Sequence, residues 1–257
     1  MSEGRLLVPP GGRMVALGDS ITQEGGWLGM IEATLAGQYP GLGLPPIVNA
    51  GIGGQMAGHM AARFERDVLA HRPSVITISA GINDVWHRLG GPEDPGVVDD
   101  YGRHLQGMVR AGLAAGARVL LLTPTLIEED PASEGNRRLA AFVARCRAVA
   151  GAARAWSAAD GGSGDAAGCV LVDLHGLFLQ ALRRLGAGIR PAGLTRDGVH
   201  MAPLGDFVMA VGVLRALGVP DGRIAAAAPA RRLGFDLRRL AEVLGTGGAA
   251  GPAAAGG

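Results

Sequence analysis

Met14-Val15-Ala16-Leu17-Gly18-Asp19-Ser20 is an apolar run that stops at a glycine-acid-serine cluster, and apolar residues at helical spacing follow it: Trp27, Leu28, Met30, Ile31 and Leu35. This reads as strand, loop, helix. The pattern then repeats. Ile47-Val48 leads into Asn49-Ala50-Gly51-Ile52-Gly53-Gly54, and residues 56–71 have helical spacing up to the stop at Pro73. Val75-Ile76-Thr77-Ile78 is a short β-branched run ending at Gly81-Ile82-Asn83-Asp84, as a buried parallel strand would be. A helix around Tyr101–Ala115, a strand at Val119–Leu122, a helix over Asn136–Ala153 and a fifth strand at Cys169–Val172 complete the series. Five strands alternating with helices predict an α/β fold, a three-layer α/β/α sandwich on a five-stranded, mainly parallel sheet. Loops beyond the carboxyl ends of such strands gather functional groups, and three glycine-rich polar clusters fall there, at 18–20, 49–54 and 81–84.

Composition narrows the chemistry. The chain has 257 residues, 24 basic and 23 acidic, so its near-neutral balance offers no electrostatic field for nucleic acid or an anionic membrane. It contains no lysine, which excludes a phosphate-loop lysine and Schiff-base or pyridoxal-phosphate chemistry. Cys146 and Cys169 stand apart and read as buried thiols, with no metal site expected. The apolar stretch Leu6-Leu7-Val8 is short and broken by Pro9-Pro10, so no secretory or membrane-spanning segment is expected and the expected location is cytoplasmic.

Acyl transfer needs an activated nucleophile, a base oriented by an acid, and donors for the developing oxyanion. Ser20 at a strand-to-helix junction suits a nucleophile, and a helix N-cap is its plain alternative. Positions 18–22 read Gly-Asp-Ser-Ile-Thr, which is not the G-x-S-x-G elbow of α/β-hydrolases. Asp197-Gly198-Val199-His200 sets a carboxylate three residues before an imidazole, with a turn at Gly198 that can bring the carboxylate to Nδ1. Asp19 and Asp84 are expected to hold loops through backbone hydrogen bonds. Asp173-Leu174-His175 is a rival acid-base pair. Of the remaining histidines, His59, His71 and His104 read as surface residues, while His87 follows the Asn83 loop closely.

Gly18-Asp19-Ser20-Ile21, Gly54, Gly81-Ile82-Asn83-Asp84 and Asp197-Gly198-Val199-His200 occur in the order of the motif blocks of the SGNH (GDSL-like) hydrolases, which this chain closely resembles from about Arg13 to Val219. The resemblance implies the flavodoxin-like SGNH version of the α/β fold and a serine esterase without a cofactor. It further implies Ser20 as nucleophile, His200 as general base and Asp197 as its partner. The oxyanion hole would be the backbone N–H groups of Ser20 and Gly54 with the side-chain amide of Asn83. Gln55-Met56 replaces the Asp-Thr that often follows the second-block glycine.

Within the family, Gly81 to Trp86, Arg63 to Val68, Leu122-Thr123-Pro124 and Asp197 to Met201 look most like intracellular bacterial acetylxylan esterases. That likeness implies a small acetylated sugar as substrate, an acetylated xylo-oligosaccharide for instance, with Trp86 as a wall of the pocket. Aromatic residues make up 4% of the chain, too few for a long carbohydrate platform. Two other readings are a broad lysophospholipase- or thioesterase-like hydrolase and a non-catalytic carbohydrate- or nucleotide-binding module. For the nucleotide, Gly51-Ile52-Gly53 lacks the third small residue of the fingerprint, since position 56 is Met. The expected organisation is an N-terminal extension at 1–12, a hydrolase domain at 13–220 and a C-terminal extension at 221–257, with an amphipathic helix over 231–244 and an Ala/Gly-rich tail after it. A homo-oligomer is left open.

Overall fold

A computed structural model describes residues 6–159, 168–185 and 193–227. The sheet is formed by β1 (Met14–Gly18), β2 (Val48–Gly51), β3 (Val75–Ser79), β4 (Arg118–Leu122) and β5 (Cys169–Val172), all parallel, in the order β2-β1-β3-β4-β5. Every residue of β1 and β3 is buried, which is why these central strands read as continuous apolar runs. The edge strands β2 and β5 are only partly buried.

The helices between the strands are α1 (Ser20–Glu24), α2 (Gly26–Gln38), α3 (Ala57–Ala62), α4 (Phe64–Asp67), α5 (Ile82–Trp86), α6 (Pro95–Ala114) and α7 (Glu134–Ala159). After β5 come α8 (Leu174–Leu185), α9 (Pro203–Ala216) and α10 (Asp221–Ala227). α2, α8, α9 and α10 pack together on one face of the sheet, and α3, α6 and α7 on the other. α9 is buried nearly all round, from Leu204 to Leu214, so its sequence is apolar without a polar stripe.

Three expectations change in detail. The helix read over 56–71 is three pieces, α3, α4 and a 3-10 turn at Leu69–His71, because the Arg63 side chain turns inward and its backbone leaves the helical region. The cluster after the second strand begins later, since Asn49, Ala50 and Gly51 pair with β1. Residues 154–159, beyond the helix expected over Asn136–Ala153, continue α7. Residues 160–167, the helix expected over 231–244 and the tail lie outside the described residues. Segments on either side of the expected hydrolase domain pack against it: Val8 is buried, the Leu7 N–H donates to the Leu217 carbonyl, and Ile224 of α10 is buried. Among the described residues no helix is long and apolar enough to cross a membrane.

In this strand order the chain reverses direction between β1 and β3, and the crevice beyond the carboxyl ends of those strands is the usual ligand position of a doubly wound sheet. Ser20 follows β1, Gly54 follows β2 and Asn83 follows β3, so all three belong to that edge.

Candidate active site

Asp19 is the N-cap of α1, and its Oδ1 accepts the Ile21 N–H at 3.0 Å. The cap that Ser20 could have provided is therefore supplied by its neighbour. Ser20 Oγ instead lies 2.9 Å from Nε2 of His200, and Nδ1 of His200 lies 2.7 Å from Oδ2 of Asp197. The other carboxylate oxygen of Asp197 accepts the backbone N–H groups of Val199, at 3.0 Å, and His200, at 2.8 Å. Burial works against ionisation of Asp197, but the hydrogen bonds from the His200 ring and from these two N–H groups outweigh it and lower its pKa to about 2. With Asp197 ionised, Nδ1–H donates to it, and the free lone pair on Nε2 accepts the Ser20 hydroxyl.

Asn83 is buried in the first turn of α5, and its Nδ2 donates to the Gln55 carbonyl at 3.1 Å, which ties α5 to the residue after Gly54. The loop carrying Gly54 is also tied to α1: the Gly53 N–H donates to Gln23 Oε1 at 2.7 Å, and Asn49 Nδ2 donates to the Thr22 carbonyl at 2.8 Å. Among the described residues the N–H groups of Ser20 and Gly54 have no protein acceptor. Asp84 accepts the Ala57 N–H at 3.1 Å, and desolvation raises its pKa against that hydrogen bond. Asp19 and Asp84 thus both hold backbone, one at each side of the crevice.

Arg63 was not singled out as a site residue from the sequence. It is buried, its Nε donates to Gln55 Oε1 at 2.7 Å, and its Nη2 donates to the Gly18 carbonyl at 3.2 Å. Gln55, which stands in place of the family's more frequent aspartate, therefore bonds both Asn83 and Arg63. The Nη1 of Arg63 also pairs with Asp67 four residues on, at 3.2 Å, but the partners that tie Arg63 to the Gly54 loop and to β1 lie 8 and 45 residues away, and no local pattern marks those.

Trp86 is 37% exposed and presents its ring edge-on to His200, with centroids 6.0 Å apart and planes at 67°. The His87 ring faces the Gly54 loop, with Cε1 4.0 Å from where a Cβ on Gly54 would lie. The rival pair is directed elsewhere. Asp173 accepts from Arg147 at 2.8 Å and from the Thr123 hydroxyl at 3.2 Å, while Nδ1 of His175 is 2.7 Å from the Thr125 carbonyl. His59 Nδ1 accepts the Met56 N–H at 3.2 Å, and the His104 ring packs beside Gly58. Both cysteines are buried and free, and burial pushes the Cys146 thiol up to about 12. Among the described residues no group of three or more His, Cys, Asp or Glu side chains is arranged to hold a metal ion.

A family model for GDSL-like lipases and acylhydrolases matches residues 16–206. The acetylxylan esterase of Geobacillus stearothermophilus is 27% identical over 231 residues, covering 83% of this chain and 97% of that enzyme. Among solved structures, that esterase, Axe2, superposes with a TM-score of 0.69 at 26% identity, over 83% of this chain and 97% of its own. LAE5, an alpha/beta hydrolase from the metagenome of Lake Arreo in Spain, gives 0.69 at 26% identity, over 83% and 98% of the two chains. Catalytic mutants of Axe2 that replace an aspartate, a serine or a histidine by alanine have also been solved. The chain belongs to the GDSL-like lipase/acylhydrolase family and is a carboxylic ester hydrolase.

Proposed function

We propose that Ser20, His200 and Asp197 form the catalytic triad, and that the substrate is an acetyl ester of a small carbohydrate. The observation that carries this reading is the unbroken hydrogen-bonded chain from Asp197 through His200 to Ser20 at the carboxyl edge of the sheet. Ser20 Oγ attacks the ester carbonyl carbon as its proton passes to Nε2 of His200, and the imidazolium is stabilised by Asp197. The oxyanion of the tetrahedral intermediate accepts hydrogen bonds from the Ser20 and Gly54 N–H groups and from the second N–H of the Asn83 amide. On collapse, His200 returns its proton to the departing alcohol oxygen and acetyl-serine remains. Water then attacks this ester with His200 as base, and acetate leaves with Ser20 restored.

The acetyl-sugar part rests on the likeness to an acetylxylan esterase and on Trp86, whose exposed ring next to His200 suits packing against a sugar face. Time-resolved acetate release from acetylated xylo-oligosaccharides, run beside lysophospholipid, acyl-thioester and octanoyl-ester controls, tests it. A preference for acetyl esters is expected, and faster turnover of the octanoyl ester or the lysophospholipid would give the broad acylhydrolase reading instead. For the triad, folded Ser20→Ala is expected to lose hydrolysis of an aryl acetate, and retained activity would remove Ser20 from the mechanism.

A further inference from the structure

The part of the β4–α7 loop after Pro124 carries none of the motif residues quoted for the family, yet it packs against the Asp197–His200 turn. Its own shape is fixed by Asn136 in the first turn of α7. The Asn136 side chain accepts the Ile127 N–H at 2.9 Å and donates to the carbonyls of Glu128 at 3.0 Å and Asp130 at 2.8 Å. Ser133 adds a bond from its hydroxyl to the Ile127 carbonyl at 2.9 Å. Under this clamp Glu128 adopts φ +67°, the left-handed region that a side chain of its kind rarely occupies.

That conformation has a use. It aims the Glu128 N–H at the carbonyl of Gly198, in the middle of the turn, at 2.6 Å. Gly198 has φ +93°, and a Cβ there would come within 3.4 Å of Glu128, so the two backbones approach closely. The next residue, Glu129, grips the base of the same turn: its Oε1 accepts both the N–H of Thr195, at 2.6 Å, and the Thr195 hydroxyl, at 3.0 Å. Thr195 bridges Met201 across the turn, and the Arg196 N–H donates to the His200 carbonyl at 2.9 Å. The loop therefore holds the turn at its tip through Glu128 and at its base through Glu129.

We propose that Glu129 is a positioning residue for acyl transfer, acting through Thr195 to hold the Asp197–His200 turn in place so that Nε2 of His200 meets Ser20. This rests on the triad reading above. The turn needs such support because Asp197 is half exposed and, among the described residues, its side chain bonds Val199 and His200 alone. Misplacement of a reacting group by about 1 Å can cost on the order of a hundredfold in rate. A side chain ending in an sp2 oxygen suits the task, since that one atom receives both donors of the same residue.

The experiment measures kcat and KM for an aryl acetate, thermal melting, and the low-field proton resonance of the His200 Nδ1–H in Glu129→Ala, Glu129→Gln and Thr195→Val. Glu129→Ala is expected to lower kcat by about ten- to a hundredfold with KM nearly unchanged and to broaden the low-field resonance. Glu129→Gln, which keeps an acceptor oxygen, should recover most of the rate. Should Glu129→Ala not fold, Thr195→Val decides, because it deletes one of the two bonds at nearly constant volume; a kcat loss of about three- to tenfold is expected. A folded Glu129→Ala or Thr195→Val with kcat within about twofold of the parent and the resonance in place overturns the proposal. So does a lowered melting temperature alone. Ser20→Ala in the same assay separates the two ideas: an active Ser20→Ala refutes the triad, whereas an inert one beside a fully active Glu129→Ala refutes only the positioning role.

Discussion

Asp19 is fully buried beneath the serine it precedes, and its pKa is pushed up to about 6 by that burial, against the opposing Ile21 N–H and the nearby His200. The sign of the consequence follows from linkage. A carboxyl that binds its proton more tightly when folded adds stability that is complete below the ordinary carboxylate value of 3.8 and is lost as pH rises through about 6. Asn is as good an N-cap as Asp and does not titrate, so Asp19→Asn should keep α1 capped while removing this term. Denaturant unfolding of parent and variant at pH 4 and pH 7 is expected to show the variant gaining on the parent by up to about 3 kcal/mol over that interval. A pH-independent difference would show that Asp19 does not titrate there. At this scale the residues of the proposed triad could be picked out in the sequence because two short motifs, Gly-Asp-Ser and Asp-x-x-His, occur in the order of the family's blocks. Arg63 and Glu129 could not, because each earns its place through partners distant in the chain, Gly18 for one and Thr195 for the other, and a lone Arg or Glu has no periodicity to read.

Between elements, the position of Ser20, the proposed nucleophile, depends on how closely α1 sits on β2. At Gly51 the strand runs against the backbone of α1, and a Cβ there would lie 2.2 Å from the Gln23 nitrogen and 2.7 Å from the Thr22 carbonyl carbon. Neither atom is the end of a flexible side chain, so the helix itself would have to move. Gly51→Ala is accordingly expected to cost about 1–3 kcal/mol, lower the melting temperature by about 3–10 °C, and reduce kcat by about tenfold or more as Ser20 moves off His200. Gly37 on the exposed side of α2 has nothing within 4 Å of an added Cβ, and Gly37→Ala should be neutral or slightly stabilising, which separates a packing effect from a general glycine effect. A parent-like Gly51→Ala in both melting and rate would mean that α1 is not held by this contact. Strands and long helices were readable here because their apolar period is set by burial along one element. The break at Arg63 was not, since the side chain's bonds to Gln55 and Gly18 override a helical pattern that is locally sound. The start of α2 shows the same thing: Gly25 offers no capping side chain, and Asp206 of α9 receives the Trp27 N–H instead, with burial pushing its carboxyl up to about 6.

Over the whole molecule the strand order divides the labour between two ends of one sheet. The carboxyl end carries Ser20, Gly54 and Asn83, with the Asp197–His200 turn closing over them, while the opposite end is occupied by the last turn of α2, the 3-10 turn at Pro40–Leu42 and α10. Alternation of strands and helices made a parallel sheet legible, but the order in which strands pair is decided by which helices share a face, and no single segment records that. α10 shows how the far end is sealed. Its Arg223 donates to the Gln38 carbonyl at 2.7 Å and stacks over Tyr39 at 4.7 Å, Asp221 pairs with Arg215 at 2.7 Å, and Ile224 is 1% exposed in the core. Truncating a buried isoleucine to alanine removes apolar burial and leaves a cavity, so Ile224→Ala should cost about 2–4 kcal/mol and lower the melting temperature by about 5–10 °C. Because α10 meets α2 at the end remote from Gly26 and Ser20, kcat and KM for an aryl acetate, measured well below the melting transition, are expected to stay within about twofold of the parent. A kcat that falls in step with stability would instead mean that the two ends of the sheet are coupled through α2.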